Sequence, residues 1–453
     1  MRKVLKRTTA LGLCAALAFS LAGCAAGTNN SSVAGSAAAS TVGSAAGSAA
    51  GTGKTTITLG MHVANVDAQE PVTGQIVKAF EKANPDITVE VQGNDKDEHV
   101  KKMKLAAQSN ELPDIFWMDS SVAPQLNEAG KLLDLSEFLK QNPDINAGLS
   151  DNMKVASQAG GKQYGLPYQA LVTGIWYNKD LFKKAGIDAP KNGTTYDELM
   201  SMVKALNAKG ITPIAQGAKD TYSVWAFLIG LERYGYFNKI DNILAGKEKF
   251  NNPDFVKYFE KMSALGRAKA FPSNCATSTY FQAKEQFNAS KAAMFDSGVW
   301  DAGALDKTIG TNIGFWWGPT FSDSSAKQTV SMDASSAPLC VSKAVGDNEA
   351  KKNAVYKFLA FYYGKDAAKI SYEGSIIPAT NYKIDVNLDS KPAFKAVVDA
   401  LQDRSWVSPK AQPDLVLSEA VQAQLYDSMY GTMLGTYTPK EALDKLDKVQ
   451  QQQ

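Results

Sequence analysis

Tryptophan residues and acidic residues lie close together at several places in this chain of 453 residues. A flat aromatic ring matches the apolar C–H face of a sugar ring, and a carboxylate accepts hydrogen bonds from the surrounding hydroxyls. The combination therefore predicts carbohydrate binding. The candidate residues are Trp117 with Asp119, Asp220 with Tyr222 and Trp225, Trp300 with Asp301, and Trp317 just before Gly318-Pro319.

The same residues also allow a structural interpretation. A tryptophan in a chain of this size packs in a core more often than it stacks on a ligand, and each of the aspartates could instead cap a helix. Trp176 lies inside an apolar segment and is predicted to be a core residue. Trp316 and Trp317 are adjacent, so on a strand they point to opposite faces and at most one of them can stack on a ligand.

Motifs for catalysis are weak in this sequence. Residues 324–327 match S-x-x-K and residues 150–152 match S-D-N, but the order is the reverse of that in penicillin-binding enzymes, and K-T-G is missing. His62 and His99 are the two histidines, which is too few to predict a metal site. We expect a binding protein with no metal or cofactor. An exported glycan-processing enzyme stays an alternative, because sequence spacing cannot test the separation of two catalytic carboxylates.

The elements that must position these residues alternate between strands and helices. Alternating apolar residues predict strands, and apolar residues three and four apart predict amphipathic helices. His99 is predicted to lie on the solvated face of one of these helices. This rhythm predicts an α/β fold with a parallel sheet and helices on both faces. In chain order the predicted elements are strand 56–61, helix 74–83, strand 87–91, helix 98–109 and strand 113–117.

A second α/β section begins after Gly160-Gly161. Residues 171–177 form an apolar run, and Thr195 with Glu198 has the spacing of a helix capping box. The remaining predicted helices are 222–234, 253–267, 279–289, 349–363, 392–402 and 416–434, and the remaining strands are near 292–296, 311–316 and 338–341.

The N-terminal segment predicts export. A basic start and an apolar run precede Leu21-Ala22-Gly23-Cys24, in the order of a secretory signal, and the apolar run is too short to span a bilayer. The position of Cys24 resembles the lipobox of bacterial lipoproteins, which implies cleavage after residue 23 and lipidation of Cys24. The alternative is an ordinary signal peptide with a chance cysteine. Small residues dominate 24–53 and predict a flexible linker.

Charge and cysteine content narrow the possibilities further. The chain has 48 basic and 46 acidic residues, and residues 1–23 hold four of the basic ones and no acid, so the remainder is close to neutral. A nucleic-acid-binding domain usually has a basic excess, and we expect no nucleic-acid partner. The roughly 400 residues after the linker suffice for two domains. Cys275 and Cys340 could form one disulfide or stay as two buried thiols.

Several segments, in order along the chain, resemble one protein family. They are Gly161-Lys162-Gln163-Tyr164-Gly165-Leu166-Pro167-Tyr168, the YNKDLF-x-x-AG stretch at 177–186, Tyr196-Asp197-Glu198-Leu199, and Lys291-Ala292-Ala293-Met294 with Gly298-Val299-Trp300. Ser290 stands where glycine is common in that family. On these segments the chain is identified as a member of the family 1 extracellular solute-binding proteins, the maltose-binding-protein-like lipoproteins of ABC sugar importers.

The resemblance implies a periplasmic-binding-protein-like fold with two α/β lobes, crossing hinge segments and ligand in the cleft. The N-lobe would comprise residues 54–168 plus about 316–372, and the C-lobe 169–315 plus about 373–453. The implied protein is a monomer on the outer face of the cell membrane, held there by its lipid anchor alone. It would deliver an oligosaccharide or another sugar to the permease subunits of an ABC transporter. A binding protein for a non-sugar solute is the alternative.

The resemblance also implies site residues. It supports Trp117, Asp119, Asp220, Tyr222, Trp225 and Trp300 as ligand contacts, and it adds the residues His62, Tyr168, Glu373 and Trp406.

Overall fold

The computed structural model describes residues 54–220 and 224–453, which belong to one compact unit. The predicted signal segment, Cys24, the linker and Tyr222 lie outside the described residues. Within the described part, no helix is both long enough and apolar enough to cross a membrane.

The elements of the structure follow the alternation that the sequence predicts. The strands are β1 Thr55–Met61, β2 Ile87–Gly93, β3 Ile115–Trp117, β4 Gln158–Ala159, β5 Lys162–Gln163, β6 Leu166–Pro167, β7 Ala170–Asn178, β8 Thr212–Ala215, β9 Ala292–Gly298, β10 Ile313–Trp316, β11 Asp333–Ser335 and β12 Pro338–Val341. The helices are α1 Val66–Gln69, α2 Pro71–Ala83, α3 Lys96–Ser109, α4 Ala123–Glu128, α5 Ser136–Gln141, α6 Pro143–Gly148, α7 Asp151–Val155, α8 Lys179–Ala185, α9 Tyr196–Ala208, α10 Trp225–Ile229, α11 Tyr236–Leu244, α12 Pro253–Arg267, α13 Tyr280–Asn288, α14 Ala302–Thr308, α15 Glu349–Tyr362, α16 Lys365–Glu373, α17 Pro392–Gln402, α18 Glu419–Met433 and α19 Pro439–Gln450. Short 3-10 helices lie at Glu232–Tyr234, Cys275–Thr277, Val299–Asp301, Gly310–Asn312, Lys343–Asp347, Leu388–Ser390 and Pro413–Val416.

Two five-stranded sheets organise these elements. The first sheet has the order β2-β1-β3-β12-β6, and the second has the order β10-β7-β9-β8 with β11 also paired to β7. The chain passes from β6 of the first sheet to β7 of the second through Tyr168 and Gln169 alone.

The sheets are mixed, and the prediction of a parallel sheet was therefore only partly right. β1 is parallel to both β2 and β3, as the local rhythm predicts, but β12 runs antiparallel to β3 and β6. In the second sheet β8 and β9 are parallel, whereas β7 is antiparallel to β9 and β10. β12 is more than two hundred residues from β3 in the sequence. The local pattern of apolar residues around β3 therefore could not predict the direction of β12.

Several features that were predicted from short stretches of sequence are confirmed. Thr195 and Glu198 form the predicted capping box at the start of α9. Trp176 is fully buried, and Cys275 and Cys340 are separate buried thiols. Residues 222–234 were predicted as one helix, but within the described residues this stretch is broken into α10 and a 3-10 turn that ends at Gly235, whose φ is +79°.

Two predictions depend on tertiary packing, one about the exposure of His99 and one about the lobe that contains β11. The prediction that His99 faces solvent was wrong, because His99 is fully buried and its Nε2 lies 2.7 Å from the carbonyl oxygen of Trp117. β11 falls in the segment assigned to the N-lobe, yet it pairs with β7 of the second sheet. The lobe boundaries themselves stay a prediction.

Gly266 in α12 permits a close helix contact, which gives a test of the packing around α18. A Cβ at Gly266 would lie 1.9 Å from the carbonyl oxygen of Met433, so Gly266→Ala must displace backbone. We expect the free energy of unfolding to fall by about 1–3 kcal/mol, measured by urea denaturation. Gly148→Ala is the matched control, since its Cβ would meet Thr380 at an ordinary 3.5 Å. Equal stability of the two variants would contradict this account.

Candidate functional site

A cavity collects residues from the ends of both sheets and from the segment before α18. Its volume is about 130 Å³. Several of the residues predicted from the sequence line this cavity, namely His62, Trp117, Asp119, Tyr168, Trp225, Trp300 and Asp301.

One wall is an aromatic cluster made of Trp225, Tyr280 and Trp300. The two indole rings meet edge to face with centroids 5.1 Å apart, and Trp225 also meets Tyr280 at 5.7 Å. Trp300 Nε1 donates a hydrogen bond of 2.8 Å to the Tyr280 hydroxyl. A Cβ at Gly298 would lie 2.2 Å from the Trp300 ring, so glycine at this position lets the ring fold across the backbone.

A buried carboxylate holds the aromatic cluster in place. Asp301 is 1% exposed and accepts hydrogen bonds from the hydroxyls of Tyr280 and Ser297. Lys284 forms an ion pair of 2.6 Å with it. Burial by itself would lower the pKa of Lys284, but Asp301 outweighs burial and raises that pKa. The lysine therefore stays charged and neutralises the carboxylate.

His62 and Trp117 form a second aromatic surface. Their rings are stacked with centroids 4.1 Å apart and an interplanar angle of 17°, and the edge of Tyr168 meets His62 at 5.9 Å. Burial lowers the pKa of His62 to about 3, with smaller contributions from His99 and Lys96. The imidazole is therefore neutral at physiological pH and contributes a flat, uncharged face.

Asp119 lies beside this surface in a fixed orientation. Its Oδ1 accepts hydrogen bonds from the backbone N–H and the hydroxyl of Ser121, at 2.9 Å and 2.8 Å. Lys96 pairs with Oδ2 at 3.2 Å. Burial would raise the pKa of Asp119, but Lys96 and Ser121 together outweigh burial and lower it. Asp119 is thus an ionised acceptor whose charge is already balanced.

Glu70 lies between α1 and α2 and lines the cavity. Among the described residues, no lysine lies within hydrogen-bond distance of its carboxyl group. The Tyr168 hydroxyl donates to Glu70 Oε2 at 3.2 Å. Burial raises the pKa of Glu70 to about 7, and the nearby Asp301 raises it further while Tyr168 opposes the shift. Near neutral pH this carboxyl group can accept or donate a hydrogen bond.

Comparison with known proteins assigns the chain to a family. A model of the bacterial extracellular solute-binding protein family matches residues 75–396. This chain belongs to that family.

Individual solute-binding proteins of known identity resemble the chain as well. The sn-glycerol-3-phosphate-binding periplasmic protein of Brucella melitensis is 28% identical over 267 residues, which cover 57% of this chain and 56% of that protein. The chain spans about half the length of the curated relatives it matches. A chitin oligosaccharide binding protein superposes with a TM-score of 0.78 at 24% identity, covering 88% of this chain and 98% of that one.

A further structure, from work on xylan utilization by Caldanaerobius polysaccharolyticus, gives a TM-score of 0.74 at 25% identity, covering 87% of this chain and 99% of that one. These likenesses confirm the predicted periplasmic-binding-protein-like α/β fold.

The remaining predicted residues of this solute-binding protein lie elsewhere. Asp220 accepts a hydrogen bond of 3.2 Å from the Tyr280 backbone N–H, as a residue that caps the start of α13 would. Trp317 and Trp406 pack in the core behind β10, where Arg233 lies 5.8 Å from the Trp406 ring. Glu373 is exposed at the end of α16. These four do not line the cavity, and Tyr222 lies outside the described residues.

Sequence reasoning also missed part of the cavity wall. A capping box at Thr279 and Gln282 begins α13 and so positions Tyr280, which was a usable signal. Phe281 and Lys284 lie on the same helix and share this signal. No such signal marks the other missed residues, because they come from separate segments that only the tertiary fold brings together. Among them are Gln69, Glu70, Lys96, Ser336, Gln412, Asp414, Gln422 and Tyr426.

The raised pKa of Glu70 predicts a pH-dependent contribution to stability. The folded state holds the proton up to about pH 7, whereas the ordinary value is 4.5. The contribution of Glu70 to the free energy of unfolding therefore falls as pH rises from about 4.5 to about 7. Glu70→Gln removes this term, so its stability relative to the wild type should rise across that window and level off above it.

Denaturant titrations between pH 4 and pH 8.5 measure this difference. Tyr168→Phe is the companion variant, because losing its hydroxyl should raise the pKa of Glu70 further and move the window to higher pH. A constant difference between Glu70→Gln and wild type from pH 5 to pH 8 would contradict the assigned titration.

Proposed function

We propose that this protein is a carbohydrate-binding component of an ABC importer and that its ligand is an oligosaccharide. The observation that carries the proposal is the placement of Trp225 and Trp300 in one cavity with Asp119, Asp301 and Glu70. Indole rings offer apolar faces to the C–H groups of a sugar, and carboxylates accept hydrogen bonds from its hydroxyls. This is the arrangement by which protein side chains match both surfaces of a pyranose.

The charge of the cavity favours a neutral solute over an anionic one. Lys96 and Lys284 are each ion-paired with an aspartate, and His62 is neutral. Two further carboxyl groups, those of Glu70 and Asp414, line the same cavity. A phosphate ester, as in the name of the curated relative from Brucella, would have to compete with aspartates for the lysines. A neutral oligosaccharide, such as the one that the similar chitin oligosaccharide binding protein is named for, presents no such conflict.

Hinge closure is the proposed mechanism. The two sheets would belong to two lobes, and the short passage through Tyr168 and Gln169 between β6 and β7 would be one of the crossings. Closure would bring His62 and Trp117 from the first sheet toward Trp225 and Trp300 from the second and remove the ligand from water. A ligand stabilises the closed form only through its higher affinity for that form. The closed protein would then dock on the permease, with no chemical step.

The aromatic cluster provides the direct test. Trp300→Ala should fold cooperatively but lose at least tenfold in affinity, since removing a central aromatic contact typically costs more than about 1.4 kcal/mol. Isothermal calorimetry with xylotriose, chitotriose, maltotriose and raffinose, chosen after a thermal-shift screen, measures the loss. Trp300→Phe is the matched control and should retain part of the affinity, because it keeps a flat ring.

Two results would go against the proposal. Unchanged affinity of Trp300→Ala for a sugar that binds the wild type would remove Trp300 from the site. Binding of glycerol 3-phosphate, with no response to any sugar, would favour the non-sugar alternative.

We further propose that Cys24 carries a lipid that holds the protein on the outer face of the cell membrane. The support is the order of basic start, apolar run and small residues before this cysteine.

Cys24→Ser tests the anchor. In a bacterial host fed labelled palmitate, the wild type should take up label and sediment with membranes, whereas Cys24→Ser should be unlabelled and appear in the soluble or secreted fraction. Cys275→Ser is the control and should behave as the wild type, because Cys275 is a buried thiol. Membrane sedimentation of an unlabelled Cys24→Ser would contradict lipid anchoring at this residue.

A further inference from the structure

The segment before α18 supplies a part of the cavity wall that neither the sequence motifs nor the aromatic cluster accounts for. Gln412 and Asp414 both line the cavity, although they are 0% and 1% exposed. Asp414 lies in the 3-10 turn Pro413–Val416 that leads into α18, and the Tyr426 hydroxyl from α18 donates to Asp414 Oδ2 at 2.7 Å. One carboxylate oxygen is therefore held by the protein itself.

The other polar atoms of this pair have no hydrogen-bond partner on another residue in the described part of the chain. They are Asp414 Oδ1 and both side-chain atoms of Gln412, Oε1 and Nε2. Buried polar groups in native proteins are almost always hydrogen-bonded, because an unsatisfied group costs free energy. Three such atoms on two residues separated only by Pro413, in the wall of one cavity, indicate groups kept for a ligand.

We propose that Gln412 and Asp414 form a subsite that recognises two neighbouring hydroxyl groups of the sugar. This inference rests on the proposed carbohydrate function and assigns a specificity role to residues outside the aromatic cluster. Gln412 offers both a donor and an acceptor, and Asp414 Oδ1 offers an acceptor. A hydroxyl both donates and accepts, so one hydroxyl can donate to Asp414 and accept from Gln412 Nε2 while its neighbour donates to Gln412 Oε1.

The surroundings agree with a neutral donor-bearing ligand. Burial raises the pKa of Asp414 to about 6; Lys96 opposes the shift and Asp119 adds to it, so both lie within electrostatic range. Since Lys96 pairs with Asp119, a ligand hydroxyl is the partner that can satisfy Asp414 Oδ1 without a further charge. An anion at this place would face two carboxylates.

Gln412→Met distinguishes a ligand-binding role from a structural one through two measurements, the melting temperature of the ligand-free protein and the affinity for sugar. Methionine has nearly the same shape and brings no unsatisfied polar atoms. We expect the melting temperature of the ligand-free variant to equal or exceed that of the wild type. We also expect its affinity for whichever of xylotriose, chitotriose and maltotriose binds the wild type most tightly to fall at least tenfold. Asp414→Asn should weaken the same binding while keeping an acceptor for Tyr426.

A lower melting temperature of Gln412→Met with unchanged affinity would overturn the subsite and show that the residue is structural. Retained affinity in both variants would also overturn it, while loss of binding in Trp300→Ala would leave the carbohydrate function standing. If the wild type binds no sugar at all, the proposed function fails and the subsite fails with it.

Deoxy analogues of the monosaccharide at the tight-binding end complete the test. Removing the hydroxyl that contacts Gln412 should weaken binding to the wild type but have a much smaller effect on binding to Gln412→Met, as a double-mutant cycle requires of groups in contact. Equal losses in the two proteins for every deoxy position would overturn the assignment.

Discussion

The cost of removing carboxylates from water governs the arrangement of this cavity. An isolated charge in a low-dielectric interior is so unfavourable that it must be paired, hydrogen-bonded or neutralised by a proton. Asp119 and Asp301 take the first course, with lysine partners at 3.2 Å and 2.6 Å. Glu70 takes the last, with a pKa raised to about 7, whereas Asp414, whose pKa is raised to about 6, accepts a hydrogen bond from Tyr426. The cavity thus has acceptors without a strong net field.

The geometry of the aromatic cluster depends on one of these carboxylates. Asp301 accepts from the Tyr280 hydroxyl, which in turn accepts from Trp300 Nε1. The orientation of the indole ring is therefore linked through two hydrogen bonds to a charge that Lys284 balances. Loss of the aspartate would remove the ion-pair partner of Lys284 and one hydrogen-bond acceptor of the Tyr280 hydroxyl. A stacking surface that looks hydrophobic is, in this protein, positioned by electrostatics.

Sequence reasoning succeeded where a local pattern has a local cause and failed where tertiary packing decides. The strands, most helices and the capping box of α9 follow from periodicity and from side chains a few residues apart. Trp300 and Trp317 have similar sequence surroundings, a short strand followed by a loop. However, Trp300 lies in the 3-10 turn that follows β9, whereas Trp317 directly continues β10 into the core. Gln412 and Asp414 lie about 350 residues from His62, so no spacing could have joined them to the site.

Aromatic surfaces and buried polar groups contribute differently to ligand recognition, the first to affinity and the second to specificity. Every pyranose has C–H faces, so under the proposed function the aromatic cluster and the His62–Trp117 pair would supply affinity with little regard to stereochemistry. Hydroxyl positions differ between sugars, and a buried acceptor that finds no hydroxyl is left unsatisfied at a cost. Discrimination therefore depends on the buried groups with open hydrogen-bonding capacity rather than on the rings. Among the described residues of the cavity wall, that capacity is concentrated on Gln412 and Asp414. Under the proposed carbohydrate function, the segment leading into α18 is where a change of specificity would arise.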